Sequence, residues 1–120
     1  MKEVKLYPNS CVERIVIGIP RGHMHARMAI ELCDQVIVLH EAAVAAMVRA
    51  FAAIVLHPRR RALEMKRVKL GKNERKPLYA EHQLLEVEEP EVVALDKLET
   101  LLKEAKVVDC GCAEPADADR

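Results

Sequence analysis

The sequence has almost no hydroxyl side chains of the kind that act as nucleophiles, and few aromatic rings. Its 120 residues include one serine, Ser10, one threonine, Thr100, three aromatic residues and no tryptophan. Neither Ser10 nor Thr100 lies in a G-x-S-x-G elbow or another recognisable triad setting. A phosphate-binding P-loop, a dinucleotide-binding glycine pattern and the H-E-x-x-H motif of zinc proteases are also missing. These absences argue against several enzyme classes and leave open whether the chain is an enzyme.

The N-terminal sequence has no long apolar segment of the kind that signal peptides carry. The most apolar stretch, 36–56, has Arg49 near its middle, and a charge at the centre of a bilayer costs about 2.5–3.5 kcal/mol. We therefore expect no membrane span. Four cysteines without a secretion signal are typical of free thiols rather than of a disulfide framework. The expected location is the cytoplasm.

The net charge is zero, but the charges are unevenly spread. Residues 59–76 carry nine positive and two negative charges, whereas residues 81–120 carry four positive and twelve negative ones. The simplest interpretation is that the two segments compensate each other, within or between subunits. The basic segment also permits weak binding of a polyanion through phosphates. Because it contains no aromatic residue for base stacking and no known nucleic-acid motif, nucleic acid is a disfavoured partner.

Hydrophobic residues make up 51% of the chain, which is enough for a core in a chain of single-domain length. The hydrophobic pattern predicts three helices and six short strands. The helices are expected at 23–33, 41–57 and from 90 onward, and the strands at 2–7, 13–19, 35–39, 62–70, 78–88 and 107–108. We therefore predict an α/β fold, a small single-domain layered sandwich with a mixed sheet, about three helices and five to six short strands. The domain would comprise residues 1–112, followed by a polar tail at 113–120.

The helix expected at 41–57 contains seven alanines and a single interior charge, Arg49. A helix that is apolar almost all round must be buried on most of its faces. An interface between subunits explains this economically in so small a domain, and a central helix covered by the chain's own sheet is the alternative. We therefore predict a homo-oligomer. The predicted interface residues are Ala46, Arg49, Ala50 and Ala53.

Side chains that bind metals or transfer protons follow three of the predicted strands. Ligands in open α/β sheets bind beyond the carboxyl ends of the strands. If the strands at 13–19, 35–39 and 107–108 are parallel neighbours, one sheet edge would carry the ligands of a transition metal such as zinc. The candidate ligands are His23, His25, His40, Cys110 and Cys112.

Other roles are open for some of these residues and their neighbours. Cys110 and Cys112 could handle sulfur or pass through a disulfide instead of binding a metal. Cys33 is expected to be a small core residue. Arg21 and Gly22 would lie at the start of the helix predicted at 23–33, where free backbone N–H groups could hold an anion.

The order of elements at 14–50 is similar to the opening of small DsrE-like sulfur-relay proteins. The resemblance rests on the run from Arg14 to Gly18, on Met28 to Leu32 after a turn, and on residues 35–44. It implies a cytosolic α/β oligomer that carries persulfide sulfur on a cysteine.

Three functions therefore remain open from the sequence. The first is a His/Cys site for transition-metal binding or thiol and sulfur handling. The second is a non-catalytic assembly or regulatory subunit built on the alanine-rich helix. The third is a weak polyanion binder that uses the basic segment 59–76.

Overall fold

The computed structural model describes residues 2–111, and in this range it has seven short strands and two helices. In chain order these are β1 (Lys5–Leu6), a 3-10 turn (Asn9–Cys11), β2 (Val12–Gly18), β3 (Arg27–Leu32), β4 (Val36–His40), α1 (Glu41–Val55), β5 (Met65–Lys69), β6 (His82–Glu86), α2 (Glu91–Glu104) and β7 (Lys106–Val107). The described chain divides into two compact units, one with residues 2–39 and 98–111 and the other with residues 40–97. The tail predicted at 113–120 lies outside the described residues, as does Cys112.

The prediction of a helix at 23–33 is wrong, because residues 27–32 of this segment form the strand β3. Met28, Ile30 and Leu32 recur at every second residue, which is the period of a strand. Met28 and Leu32 are buried. β3 runs antiparallel to β2, with pairs from Val12–Leu32 to Gly18–Arg27 and an irregularity at Glu13.

The predicted fold class is corrected accordingly. In the described part of the chain there are two helices rather than about three, and the seven strands form three separate sheets instead of one mixed sheet. β3 lies between β2 and β4 in a three-stranded sheet, so no crossover helix makes β2 and β4 parallel neighbours. β1 and β7 pair in parallel and form a sheet of their own.

A tight turn begins the connection from β2 to β3. The N–H of His23 donates to the carbonyl of Pro20 at 3.0 Å, and Gly22 adopts a φ of +81°. This left-handed value suits glycine at the third position of such a turn, where other residues are strained. Because no helix starts here, the anion site predicted at Arg21 and Gly22 loses the free helical N–H groups on which it depended.

In the unit of residues 40–97, α1 packs against the hairpin of β5 and β6, through β6. Ala46 is 2% exposed and Val44 is also buried, while the Arg49 guanidinium donates to the Leu84 carbonyl at 3.0 Å. Two of the four predicted interface residues, Ala46 and Arg49, therefore have their contacts or burial within the chain itself. The apolar side chains of α1 that remain exposed are different ones, namely Met47, Val48, Phe51 and Val55.

Neither helix among residues 2–111 combines the length and the apolar character needed to cross a bilayer.

Charged contacts join the predicted basic segment to acidic residues of the same unit. Arg60 forms an ion pair with Glu86, and Arg75 lies 3.7 Å from Glu81. At the start of α2, the Glu91 carboxylate accepts the backbone N–H of Arg61 and, at 2.8 Å, that of Ala62. These two hydrogen bonds, with the first the stronger effect, lower the pKa of Glu91 from its usual 4.5. Part of the basic segment is thus neutralised inside the chain.

Ala46→Glu should unfold the unit that contains α1, because it places an uncompensated charge at a buried position. We expect the free energy of unfolding to fall by about 3 kcal/mol or more. Val48→Glu is the matched control, since Val48 lies on the same helix and is 62% exposed. Urea denaturation followed by circular dichroism compares the two variants, and an equal loss in both would contradict the observed burial of α1.

Glu91 should make stability depend on pH in the acid range. Since its pKa is lowered from 4.5 in the folded chain, ionised Glu91 stabilises the fold above about pH 4.5. This contribution disappears as the pH falls through the lowered pKa. Glu91→Gln should therefore be less stable than the parent chain at pH 7 and should show a flatter loss of stability between pH 5 and pH 3.

The same series of urea denaturations at stepped pH should be run on Glu88→Gln. Glu88 is exposed and sits just before α2, so this change removes one carboxylate without touching the bonds to Arg61 and Ala62. If Glu91→Gln and Glu88→Gln follow the same pH profile, the assigned role of Glu91 is wrong.

Candidate metal centre

Three cysteines from distant parts of the sequence converge in the unit of residues 2–39 and 98–111. The Sγ atoms of Cys11, Cys33 and Cys110 all lie within 4.8 Å of one another. Cys11 is 1% exposed, whereas Cys33 and Cys110 keep partial access to solvent. Three thiol groups at this spacing could hold a metal ion.

The pairing of β2 with β3 brings the first two cysteines together. Cys11 immediately precedes β2 and Cys33 immediately follows β3. Since Val12 pairs with Leu32, continuing the antiparallel register by one residue places Cys11 opposite Cys33. The backbone N–H of Cys33 donates to the carbonyl of Cys11 at 3.0 Å, so the ladder reaches the two cysteines.

The pairing of β1 with β7 brings in the third cysteine. The N–H groups of Lys106 and Val108 donate to the carbonyls of Val4 and Leu6, both at 2.9 Å. These hydrogen bonds place the segment after β7 beside Cys11, and the Sγ of Cys11 donates to the Val108 carbonyl at 3.6 Å. Cys110 follows two residues later.

A turn at residues 109–111 orients Cys110. Gly111 has a φ of +78°, and its N–H donates to the Asp109 side chain at 3.0 Å. The left-handed conformation favours glycine at this position.

A polar contact holds the Cys33 turn against the segment after β1. The Tyr7 hydroxyl donates to the Asp34 carboxylate, at 3.0 Å and 3.1 Å to its two oxygens. The side-chain amide of Gln35 donates to the same hydroxyl at 2.8 Å. Tyr7 thus links β1, which pairs with the Cys110 segment, to the turn that carries Cys33.

Cys110 lies beside both of the other cysteines. Its Cα atom is 6.0 Å from that of Cys11 and 5.9 Å from that of Cys33. Both separations fall in the range found for disulfide-bonded pairs. Because a sulfur atom forms one disulfide at a time, Cys110 has two alternative partners.

Of the ligands predicted from the sequence, Cys110 belongs to this cluster, and Cys112 lies outside the described residues. His23 and His25 lie in the connection between β2 and β3, beyond the Gly18–Arg27 pair. The cysteines are at the opposite end of this hairpin, about 20 Å away along a strand of this length. His40 ends β4 and is the N-terminal flanking residue of α1, in the other unit. Metal binding by these histidines stays a prediction.

Cys11 was not among the ligands predicted from the sequence, and Cys33 was predicted to be a core residue. The signal that could have found both is the alternation of Met28, Ile30 and Leu32. Interpreted as a strand, it makes residues 12–32 a hairpin with a cysteine just outside each end.

A cavity in the unit of residues 40–97 is a weaker candidate site. It measures about 380 Å³ and lies between the segment after α1 and the start of α2. Its Arg60 and Glu86 form an ion pair with each other, and its Glu91 binds backbone N–H groups. These charges already have partners within the chain.

In comparison with known proteins, the chain matches no family model, no curated protein and no solved structure. The resemblance to DsrE-like proteins gains nothing from these comparisons. It also depends on a strand, helix and strand order, and the structure has the hairpin of β2 and β3 in that place.

Tyr7→Phe should loosen the Cys33 turn, because it removes the hydroxyl that binds Asp34 and Gln35. We expect a loss of about 1 kcal/mol in the free energy of unfolding, as for a typical hydrogen bond. A double-mutant cycle with Asp34→Ala in urea denaturation isolates the pair. Additive losses in the double variant would show that the Tyr7–Asp34 contact contributes nothing to stability.

Proposed function

We propose that this chain binds a thiophilic transition-metal ion, of which zinc is the reference case, through the thiolates of Cys11, Cys33 and Cys110. The observation that carries the proposal is the mutual approach of the three Sγ atoms to within 4.8 Å. Zinc–sulfur bonds of about 2.3 Å place the sulfurs of a tetrahedral site about 3.8 Å apart. This spacing falls inside the 4.8 Å within which the three Sγ atoms of the cluster lie.

Backbone pairing holds the candidate ligands in place without a metal. Cys11 and Cys33 are fixed by the β2–β3 register and by the 3.0 Å hydrogen bond between their main chains. Cys110 follows the strand that pairs with β1. Ligands that are pre-organised on strands lose less conformational freedom when they bind an ion, which favours affinity.

The surroundings of the cluster favour a cation. Cys11 is buried, and a bound metal ion would pair with the negative charge of its thiolate. Asp109 adjoins Cys110 in the sequence and adds negative charge, whereas Asp34, next to Cys33, lies 4.0 Å from the Lys5 ammonium group. Because the thiols must lose their protons to bind, affinity should rise with pH.

Three protein ligands leave the coordination of zinc incomplete. Structural zinc sites have four protein ligands, while catalytic sites have three and a water molecule. Within residues 2–111, no fourth candidate ligand joins the group. Cys112 follows Cys110 by two residues in the sequence, and a variant at this position tests whether it supplies a fourth thiolate.

We expect the reduced chain, kept free of oxygen, to bind one equivalent of Zn²⁺ in competition with a chromophoric chelator. Cys11→Ser, Cys33→Ser and Cys110→Ser should each weaken binding at least about 100-fold, because each removes a direct ligand. Replacing Zn²⁺ by Co²⁺ should give thiolate-to-cobalt charge-transfer bands that diminish in every one of these variants.

Two further variants serve as controls in the same titration. The double change His23→Ala and His25→Ala should leave affinity unchanged, since these residues lie at the far end of the hairpin. Cys112→Ser should leave it unchanged if three thiolates suffice and weaken it if Cys112 is a fourth ligand. The proposal is wrong if the parent chain binds no metal, or if folded variants of Cys11, Cys33 and Cys110 bind as it does.

A further inference from the structure

We propose that a hydroperoxide converts the cysteine cluster into a disulfide in which Cys110 is the shared partner, bonded to Cys11 or to Cys33, and that this oxidation releases the bound metal. The release of metal rests on the proposed function. Disulfide formation requires only the three thiols and stands without it.

The positions of the Cα atoms make Cys110 the common partner. Its separations of 6.0 Å from Cys11 and 5.9 Å from Cys33 are close to the commonest value for disulfides. Cys11 and Cys33, by contrast, face each other across a ladder whose hydrogen bond ties their main chains at 3.0 Å. Side chains are farther apart at hydrogen-bonded positions of an antiparallel pair than at the alternate positions.

Exposure to solvent indicates which cysteine sulfurs can react first with the hydroperoxide. Cys11 is 1% exposed, whereas Cys33 and Cys110 both keep access to solvent. A thiolate must reach the peroxide to react with it, so accessible cysteines are oxidised preferentially. Cys33 and Cys110 are therefore the sulfurs that can attack the oxidant. Attack by Cys110 leads to either disulfide, and attack by Cys33 followed by Cys110 leads to the Cys33–Cys110 disulfide.

The reaction consumes one hydroperoxide for each disulfide. In the route through Cys110, its thiolate attacks the peroxide, the O–O bond breaks, and Cys110 becomes a sulfenic acid while the leaving oxygen is protonated to water or an alcohol. The thiol of Cys11 or Cys33 then attacks the Cys110 sulfur, the S–O bond breaks, and the hydroxyl leaves as water with the thiol proton. The two sulfurs together lose two electrons, and the two peroxide oxygens gain them.

The third cysteine makes the disulfide exchangeable. In the Cys11–Cys110 form, the thiolate of Cys33 can attack the Cys110 sulfur and expel Cys11 as a thiolate, with no net change in oxidation state. The reverse reaction restores the first form. In either form two of the three proposed metal ligands are lost, so the ion should dissociate.

Tryptic peptides can identify the disulfides. Cleavage after lysine and arginine places Cys11 in residues 6–14, Cys33 in 28–49, and Cys110 with Cys112 in 107–120. The Cys112→Ser chain is therefore the background of choice, since it leaves a single cysteine in the last peptide. The metal-free, reduced protein is treated with one equivalent of hydrogen peroxide, alkylated, digested and analysed by mass spectrometry.

We expect both the Cys11–Cys110 and the Cys33–Cys110 crosslinks in this background. With Cys33→Ser added, only the Cys11–Cys110 crosslink should form. With Cys11→Ser added, only the Cys33–Cys110 crosslink should form. Adding Cys110→Ser should abolish intramolecular crosslinking. The inference is overturned if Cys11–Cys33 is the main product, if the Cys110→Ser chain crosslinks equally fast, or if no disulfide forms.

Release of Zn²⁺ from the loaded parent chain is followed with a chromophoric chelator. One equivalent of peroxide should free nearly all of the zinc, and dithiothreitol should restore binding. The experiments distinguish failure of the metal-site proposal from failure of the disulfide proposal. A chain that forms the Cys110 disulfides but never binds zinc disproves the metal site alone, whereas a chain that binds zinc but retains it under peroxide, without these disulfides, disproves the redox inference alone.

Discussion

The antiparallel register of β2 on β3 is the constraint on which the candidate site depends. It sets Val12 opposite Leu32, and this places Cys11 opposite Cys33 with their main chains hydrogen-bonded. A shift of one residue would turn every side chain of a strand to the other face of the sheet. The burial of Met28 and Leu32 opposes such a shift, so packing of the strand and geometry of the site have a common cause.

The position of the third cysteine, Cys110, depends on a much smaller strand pairing. β1 and β7 each contain two residues, yet their contact joins segments almost a chain length apart, and Cys110 is 99 positions from Cys11. Closing so long a loop costs conformational entropy that two residue pairs offset only in part. A crosslink across about 100 residues restricts the unfolded chain by up to about 4.7 kcal/mol in the chain-entropy model. A bound metal or a disulfide would therefore stabilise the contact that creates the site, and site and fold would be thermodynamically linked.

For helix α1 and for the basic segment 59–76, local sequence sets the composition, but contacts with distant residues decide what is buried or neutralised. The alanine-rich segment forms α1 as its composition predicts, but β6 decides which face is buried, and Phe51 on another face is 69% exposed. The basic segment is partly neutralised by Glu86, Glu81 and Glu91, through contacts that no local pattern specifies.

Local sequence patterns determined where most elements lie. α1, β5, β6 and α2 fall within the segments expected for them, and β2 is offset by one residue, because side-chain periodicity, alanine content and proline position act over a few residues. The sequence also pointed to Cys110 as a candidate ligand. The helix prediction at 23–33 was wrong because Met28 and Leu32, four residues apart, fit the period of a helix as well as that of a strand over so short a run. Only the tertiary structure decided which strands pair, in which direction and in what register, since these depend on contacts between residues far apart in the chain. Those pairings, rather than any motif, bring Cys11, Cys33 and Cys110 together.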